Sequence, residues 1–142
     1  MTSHVDTRVI TERMEVIQTS LARLREFGSV PAEQMEVPDR FAIAEHYLRY
    51  ALEAVFDICS HVLARIPGAD ATEYKKMAVE MGRCGIVSKK FAEETLVKMA
   101  GYRNRLTHFY FEISPREMYG IIQHDLGDFE IFMKFVKKFL LS

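Results

Sequence analysis

Four residues in the stretch Ala100–Phe111, AGYRNRLTHFYF, carry groups suited to work on a phosphodiester: Arg103, Asn104, His108 and Tyr110. Arginine keeps its charge and offers forked donors that match phosphate oxygens. Histidine titrates near neutrality and can accept or donate a proton. If the substrate is RNA, its own 2′-hydroxyl can serve as the nucleophile. The protein then supplies only proton transfer and stabilisation of the charge that grows on the phosphorane. Asn104, one turn before His108, can hold the imidazole or contact phosphate. A single helix converges these groups poorly, because five residues at roughly 100° each set Arg103 and His108 about 140° apart around the axis. Two copies meeting across a twofold axis would close that gap. The same residues also admit a plainer reading, a core arginine paired with Asp57 or Glu53 and a satisfied core histidine.

The element that must carry them has a helical period. Stepping back from Tyr110 by alternating fours and threes gives Leu106, Arg103, Met99, Leu96 and Ala92, a core or interface stripe with Arg103 set into it. A neighbouring stripe reads Val97, Ala100, Asn104, His108, Phe111. Arg105 shares a face with Glu94 and Lys98 and is expected to be solvated. An arginine and a histidine turned partly from water are costly unless paired, and perturbed polar groups gather at working sites.

Four further segments are expected to be helical. Asp6–Phe27 has Ile10, Met14, Ile17, Leu21 and Leu24 on one face, with Gly28 as a left-handed stop. Ser29–Pro38 is a connector. A second helix is expected over 39–66, with the stripe Phe41, Ala44, Leu48, Ala51, Val55, Ile58, Val62, Ile66, and Pro67-Gly68 ends it. Its row Arg49, Glu53, Asp57, His61 suits either exposed ion pairs or the lining of a polar cleft. Asp70 and Glu73 have the spacing of a capping pair for a short helix to Arg83, closed by Gly85. Ser88 caps the fourth helix, which carries the key stretch to about Glu112. Ser114-Pro115-Arg116-Glu117 opens the last, with Ile122, Leu126, Phe129, Met133, Val136 and Leu140 on one stripe. Phe132, Phe135 and Phe139 form a second stripe, so this helix should be contacted on two sides. No strand pattern or repeat appears. The expected fold is all-α: an antiparallel helical bundle of four long helices plus one short one, in a single domain over 1–142.

Composition bounds the rest. The 142 residues, 49% hydrophobic and 27% charged, suit one packed domain. Formal net charge is −1, so no global field draws nucleic acid. Locally, Tyr74–Tyr110 holds eight basic residues (Lys75, Lys76, Arg83, Lys89, Lys90, Lys98, Arg103, Arg105) against Glu80, Glu93 and Glu94. This is either a phosphate-binding patch or a solvated face. Cys59 and Cys84 are not in CxxC spacing and read as reduced core thiols of a cytoplasmic protein, with a structural disulfide as the less favoured alternative. The charged start predicts no signal peptide, and no apolar run reaches membrane-spanning length. The histidines form no HExxH and no Cys/His cluster, Gly82-Arg83-Cys84-Gly85 is not a P-loop, and no nucleophile elbow occurs. No metal and no cofactor is expected.

The motif R-x4-H-x-Y, spanning Arg103 to Tyr110 with Asn104 directly after the arginine, resembles the HepT-like toxins of the HEPN ribonuclease superfamily. The resemblance extends to the lead-in of KMAGYRNRLTHFY, to the second-helix segment ALEAVFDICSHVLAR and to the helix order. Thr107 departs from it, standing where relatives commonly carry Val. The resemblance implies a homodimeric bundle whose two motifs face one another in a cleft. It implies metal-independent cleavage of RNA, with Arg103 and His108 as the catalytic pair and Asn104 in support. Asp57 and His61 match polar positions of the family's second helix, which makes Asp57 a secondary site residue. A nucleotidyltransferase antitoxin is the implied partner, able to transfer AMP to Tyr110 and so to place negative charge and bulk where substrate phosphate should sit. The alternative is a non-catalytic helical dimer that serves as the nucleotidyltransferase's target.

Overall fold

A computed structural model describes residues 5–108 and 113–142, and among them the only regular structure is helical. Helix α1, Thr7–Gly28, starts where the Asp6 carboxylate accepts the backbone N–H groups of Arg8 and Val9. Its buried face is the expected one, Ile10, Met14, Ile17, Leu21 and Leu24. A 3-10 turn, Ala32–Glu36, buries Met35 and leads into α2, Pro38–Leu63, with Pro38 in the first turn. The α2 stripe from Ala44 to Val62 is fully buried. Helices α1 and α2 run antiparallel, because contacts move along them in opposite directions. The Asp6 N–H donates to His61 Nε2 at 3.0 Å, Arg13 meets Asp57 at 3.8 Å, and Arg23 lies over the Tyr47 ring.

Helix α3, Tyr74–Arg83, ends on Gly85, whose φ of 76° only glycine adopts cheaply. A continuous rod follows, made of α4, Lys89–Phe91, a π-helical stretch, Ala92–Leu96, and α5, Val97–Thr107. The Ser88 hydroxyl accepts the Phe91 N–H and caps its start. At Gly82, α3 lies so close to the rod that an added Cβ would stand 2.6 Å from the Ala92 Cβ. Helix α6, Pro115–His124, is capped by Ser114, and α7, Leu126–Leu140, closes the core with Phe129, Phe132, Met133 and Val136. Phe135 packs on Phe91, which supplies the second contact expected of the aromatic stripe. No helix among the described residues is long and apolar enough to cross a membrane.

Several local expectations are corrected. The last helix is not continuous. It breaks at Asp125, where Gly127 and two aspartates weaken helix propensity and Lys98 reaches the Asp125 carboxylate at 3.6 Å. The long helix carrying the motif stops at Thr107 rather than near Glu112, and α2 stops at Leu63 rather than Ile66. Gly28 is not left-handed. Its carbonyl accepts Gln123 Nε2, and Ile122 packs where a Cβ would be. Asp70 does not cap α3. It closes its own turn onto Thr72, while its N–H donates to the buried Glu80 carboxylate.

Candidate functional site

Helix α5 is anchored by buried Met99 and Ala100, with Leu96 buried just before it, so its next turn is fixed relative to α2 and α3. On that turn Arg103 is half-buried. Its guanidinium carbon lies 4.0 Å from the centre of the Tyr74 ring, at the start of α3, and the Phe56 ring of α2 backs Tyr74 edge-on at 5.5 Å. Arg103 Nη1 donates to Thr107 Oγ1 at 3.3 Å, and its buried Nε finds no hydrogen-bond partner among the described residues. No carboxylate among the described residues pairs with it. The core pairing with Asp57 or Glu53 is therefore not what holds this arginine.

The helix end decides where His108 goes. Its N–H makes the last helical bond, to the Asn104 carbonyl at 3.0 Å, and its own backbone is extended, at φ −103° and ψ 114°. The Thr107 hydroxyl lies 3.1 Å from the Asn104 carbonyl and 3.3 Å from that of Arg103, folding back on the last turn of the helix. His108 is thus an exposed residue just off the helix, not a satisfied core histidine, and the 140° separation computed for a continuous helix does not apply. Asn104 is half-buried on the same turn. Tyr110, expected as the AMP acceptor, lies outside the described residues, as do Phe111 and Glu112.

Asp57 is not brought beside Arg103. It is exposed and ion-paired with Arg13 in the α1–α2 seam. His61, from the same row, accepts the Asp6 N–H, which requires its neutral form. Burial lowers its pKa, with help from nearby Arg65 and against the pull of Asp6. This end of the row is therefore an interhelix seam.

Arg105 is also corrected. It forks onto Glu117 of α6 with two bonds of 2.6 Å and is half-buried. That fork is the main cause lowering the Glu117 pKa and raising that of Arg105. Ser114 caps α6 as expected, accepting the Glu117 N–H, but the Glu117 side chain turns to Arg105 rather than closing a capping box.

The eight basic residues of the Tyr74–Tyr110 stretch are partly neutralised, three of them from outside it and Arg83 from within. Lys76 meets Asp70, Lys98 meets Asp125, Arg105 meets Glu117, and Arg83 grips Glu80. Lys75, Lys89, Lys90 and Arg103 have no ion-pair partner among the described residues. The Lys75 stem passes over α5 at Gly101, on the approach to Arg103. Among the described residues no His, Cys, Asp or Glu group gathers in metal-binding geometry. Burial pushes the Cys59 thiol far up, so this cysteine is inert, and Cys84 is also free. Tyr74 escaped the sequence reading, because no local spacing links it to Arg103.

Comparison with known proteins places this geometry in context. The profile of the family described as ribonuclease HepT-like matches residues 17–136. A tRNA nuclease HepT of Aphanizomenon flos-aquae (strain 2012/KM1/D3) is 22% identical over 141 residues, covering 99% of this chain and 95% of that protein. A solved toxin–antitoxin structure with AMP-PNP superposes with a TM-score of 0.77 at 20% identity, over 92% of this chain and 98% of the other. The tri-AMPylated HEPN toxin of Shewanella oneidensis, in complex with its MNT antitoxin, gives 0.74 at 21% identity, over 92% and 97%. The two structural likenesses concern the fold.

Proposed function

Because the chain belongs to the ribonuclease HepT-like family, we propose that it is an endoribonuclease toxin acting at a site shared by two copies of the chain. The observation that carries this reading is Arg103, a cation held by an aromatic ring and a hydroxyl with no carboxylate among the described residues to neutralise it, five residues from an exposed imidazole. A phosphate is the anion such a group lacks.

In the reaction we assign, the 2′-oxygen attacks phosphorus, the bond to the 5′-oxygen breaks, and the products are a 2′,3′-cyclic phosphate and a 5′-hydroxyl. His108 of one copy takes the 2′-proton. The imidazolium of the second copy returns a proton to the leaving 5′-oxygen. Arg103 meets the charge that grows on the non-bridging oxygens. Asn104 supports the site from the turn between them, and Asp57, at the α1–α2 seam, has a secondary part. The nucleophile belongs to the RNA, so no metal is required. Lys75 extends the uncompensated positive face along α3. The first RNA to try is tRNA, on the strength of the Aphanizomenon relative. The neutralising partner in this reading is a nucleotidyltransferase antitoxin, with Tyr110 as the acceptor of AMP, as the motif's resemblance implies; a tri-AMPylated toxin bound to its antitoxin, as in the Shewanella complex, is in keeping with it.

The test is incubation of the purified dimer with tRNA in the presence of EDTA. Cleavage leaving cyclic phosphate ends, and its loss in His108→Ala, is the expected result. RNA that survives the wild-type protein, or a His108→Ala variant that cuts at the wild-type rate, overturns the catalytic assignment. Survival of RNA while the partner and ATP still add AMP to Tyr110 would instead select the non-catalytic dimer.

A further inference from the structure

Arg103 needs a fixed position to act on phosphate, and the usual device for fixing an arginine, a carboxylate, would also cancel its charge. This fold uses a different device. The guanidinium carbon lies over the Tyr74 ring, 4.0 Å from its centre, and the Phe56 ring packs edge-on against Tyr74 at 5.5 Å. A ring face attracts a cation through its quadrupole without carrying net charge, so it orients the guanidinium and leaves its full charge for an anion. The Arg103 Nε, buried and without a hydrogen-bond partner among the described residues, fits a guanidinium held by a ring face instead of by an acceptor. Tyr74 stands on α3, an element remote in sequence from the motif, and Gly82 packs that helix tightly on the rod that carries Arg103. We propose that Tyr74 is a positioning residue for the ribonuclease reaction, a neutral aromatic shelf that sets the Arg103 guanidinium toward the scissile phosphate.

This inference rests on the ribonuclease reading, and its test separates the two. Three forms are compared: Tyr74→Leu, Tyr74→Phe, and the protein with pentafluorophenylalanine at position 74. The last keeps the shape of the ring but removes its attraction for a cation. Each is measured for kcat, KM, melting temperature and affinity for a short deoxyoligonucleotide, which lacks the 2′-hydroxyl and is not cut. Tyr74→Phe should stay within about twofold of wild type, because the phenyl face serves a cation as well. Tyr74→Leu and the fluorinated form should lose about ten- to a hundredfold in kcat with KM little changed, the pattern of a misplaced transition-state contact. The fluorinated form should melt as wild type does, which a merely structural role would not combine with a fall in kcat. Equal rates in all forms overturn the proposal. So does a Tyr74→Phe loss as large as that of Tyr74→Leu, since the hydroxyl would then be the working group. If the wild-type protein cuts no RNA, the ribonuclease reading fails by itself. The shelf is then judged by oligonucleotide affinity, which should fall in the fluorinated form and in Arg103→Ala alike. Unchanged affinity in the fluorinated form counts against it.

Discussion

Arg103 and Arg105 stand two residues apart on α5, and the fold treats them in opposite ways. Arg105 is clamped by the Glu117 carboxylate in a fork that ties α5 to α6. Arg103 is held by a ring and a hydroxyl, and no carboxylate among the described residues cancels its charge. The first arrangement spends the cation on holding two helices together. The second keeps it in reserve for a ligand. Residue type alone does not separate the two; what surrounds the guanidinium does.

The largest effect that would break this contrast comes from deleting each arginine in turn. Arg103→Ala should lower RNA cleavage about a hundred- to a thousandfold, the usual cost of removing a charge-stabilising donor, with a small change in melting temperature. Arg105→Ala should do the reverse. Cleavage should persist at a temperature where the variant is folded, and stability should fall by about 1 kcal/mol, because Glu117 is left half-buried and unpaired. Rates and thermal melts on the two variants decide the matter. If Arg105→Ala abolishes cleavage without loss of stability, the division of labour is wrong.

The sequence made part of this contrast legible. The periodic faces of α1 and α2 are buried as expected, and the caps at Ser88 and Ser114 form because serine before a helix has few other uses. The motif stood out because Arg103 interrupts an apolar stripe. What stayed hidden depends on pairs distant in sequence. The helix period put Arg105 on a face with Glu94 and Lys98 and so in solvent, yet a carboxylate from another helix clamps it with two forked bonds in a partly dry setting. Tyr74 could not be assigned for the same reason. The stop at Thr107 was missed because apolar periodicity does not register where the backbone turns extended, as it does at His108.

A smaller effect sharpens the Arg105 side of the comparison. The fork from Arg105 lowers the Glu117 pKa below its ordinary 4.5. As pH falls, the unfolded chain takes up a proton at this carboxyl before the folded one does. The stabilisation is therefore complete above about pH 4.5 and drains away as pH drops through the lowered folded value. It should amount to less than about 1 kcal/mol, because about a third of each side chain stays in water. Glu117→Gln should be less stable than wild type at neutral pH, and the difference should close in acid. Urea melts across pH 3 to 7 would reveal this; a gap that stays constant would mean the fork does not depend on charge.

The smallest effect probes the Arg103 side, at Thr107. The threonine hydroxyl accepts from Arg103 Nη1 and lies against the carbonyls of Arg103 and Asn104 near the end of α5. Thr107→Val keeps the β-branched shape and removes only that oxygen. At 3.3 Å the bond to Arg103 is long, and the Tyr74 ring still holds the guanidinium from its face. Cleavage should therefore fall only about two- to fivefold, within the worth of one neutral hydrogen bond. Thr107→Ser, which restores the oxygen, should recover it. A loss from Thr107→Val as large as that from Arg103→Ala would mean the hydroxyl, and not the ring, is what fixes the arginine. The comparison would then rest on a polar contact that a valine at this position does not supply, instead of on an aromatic surface.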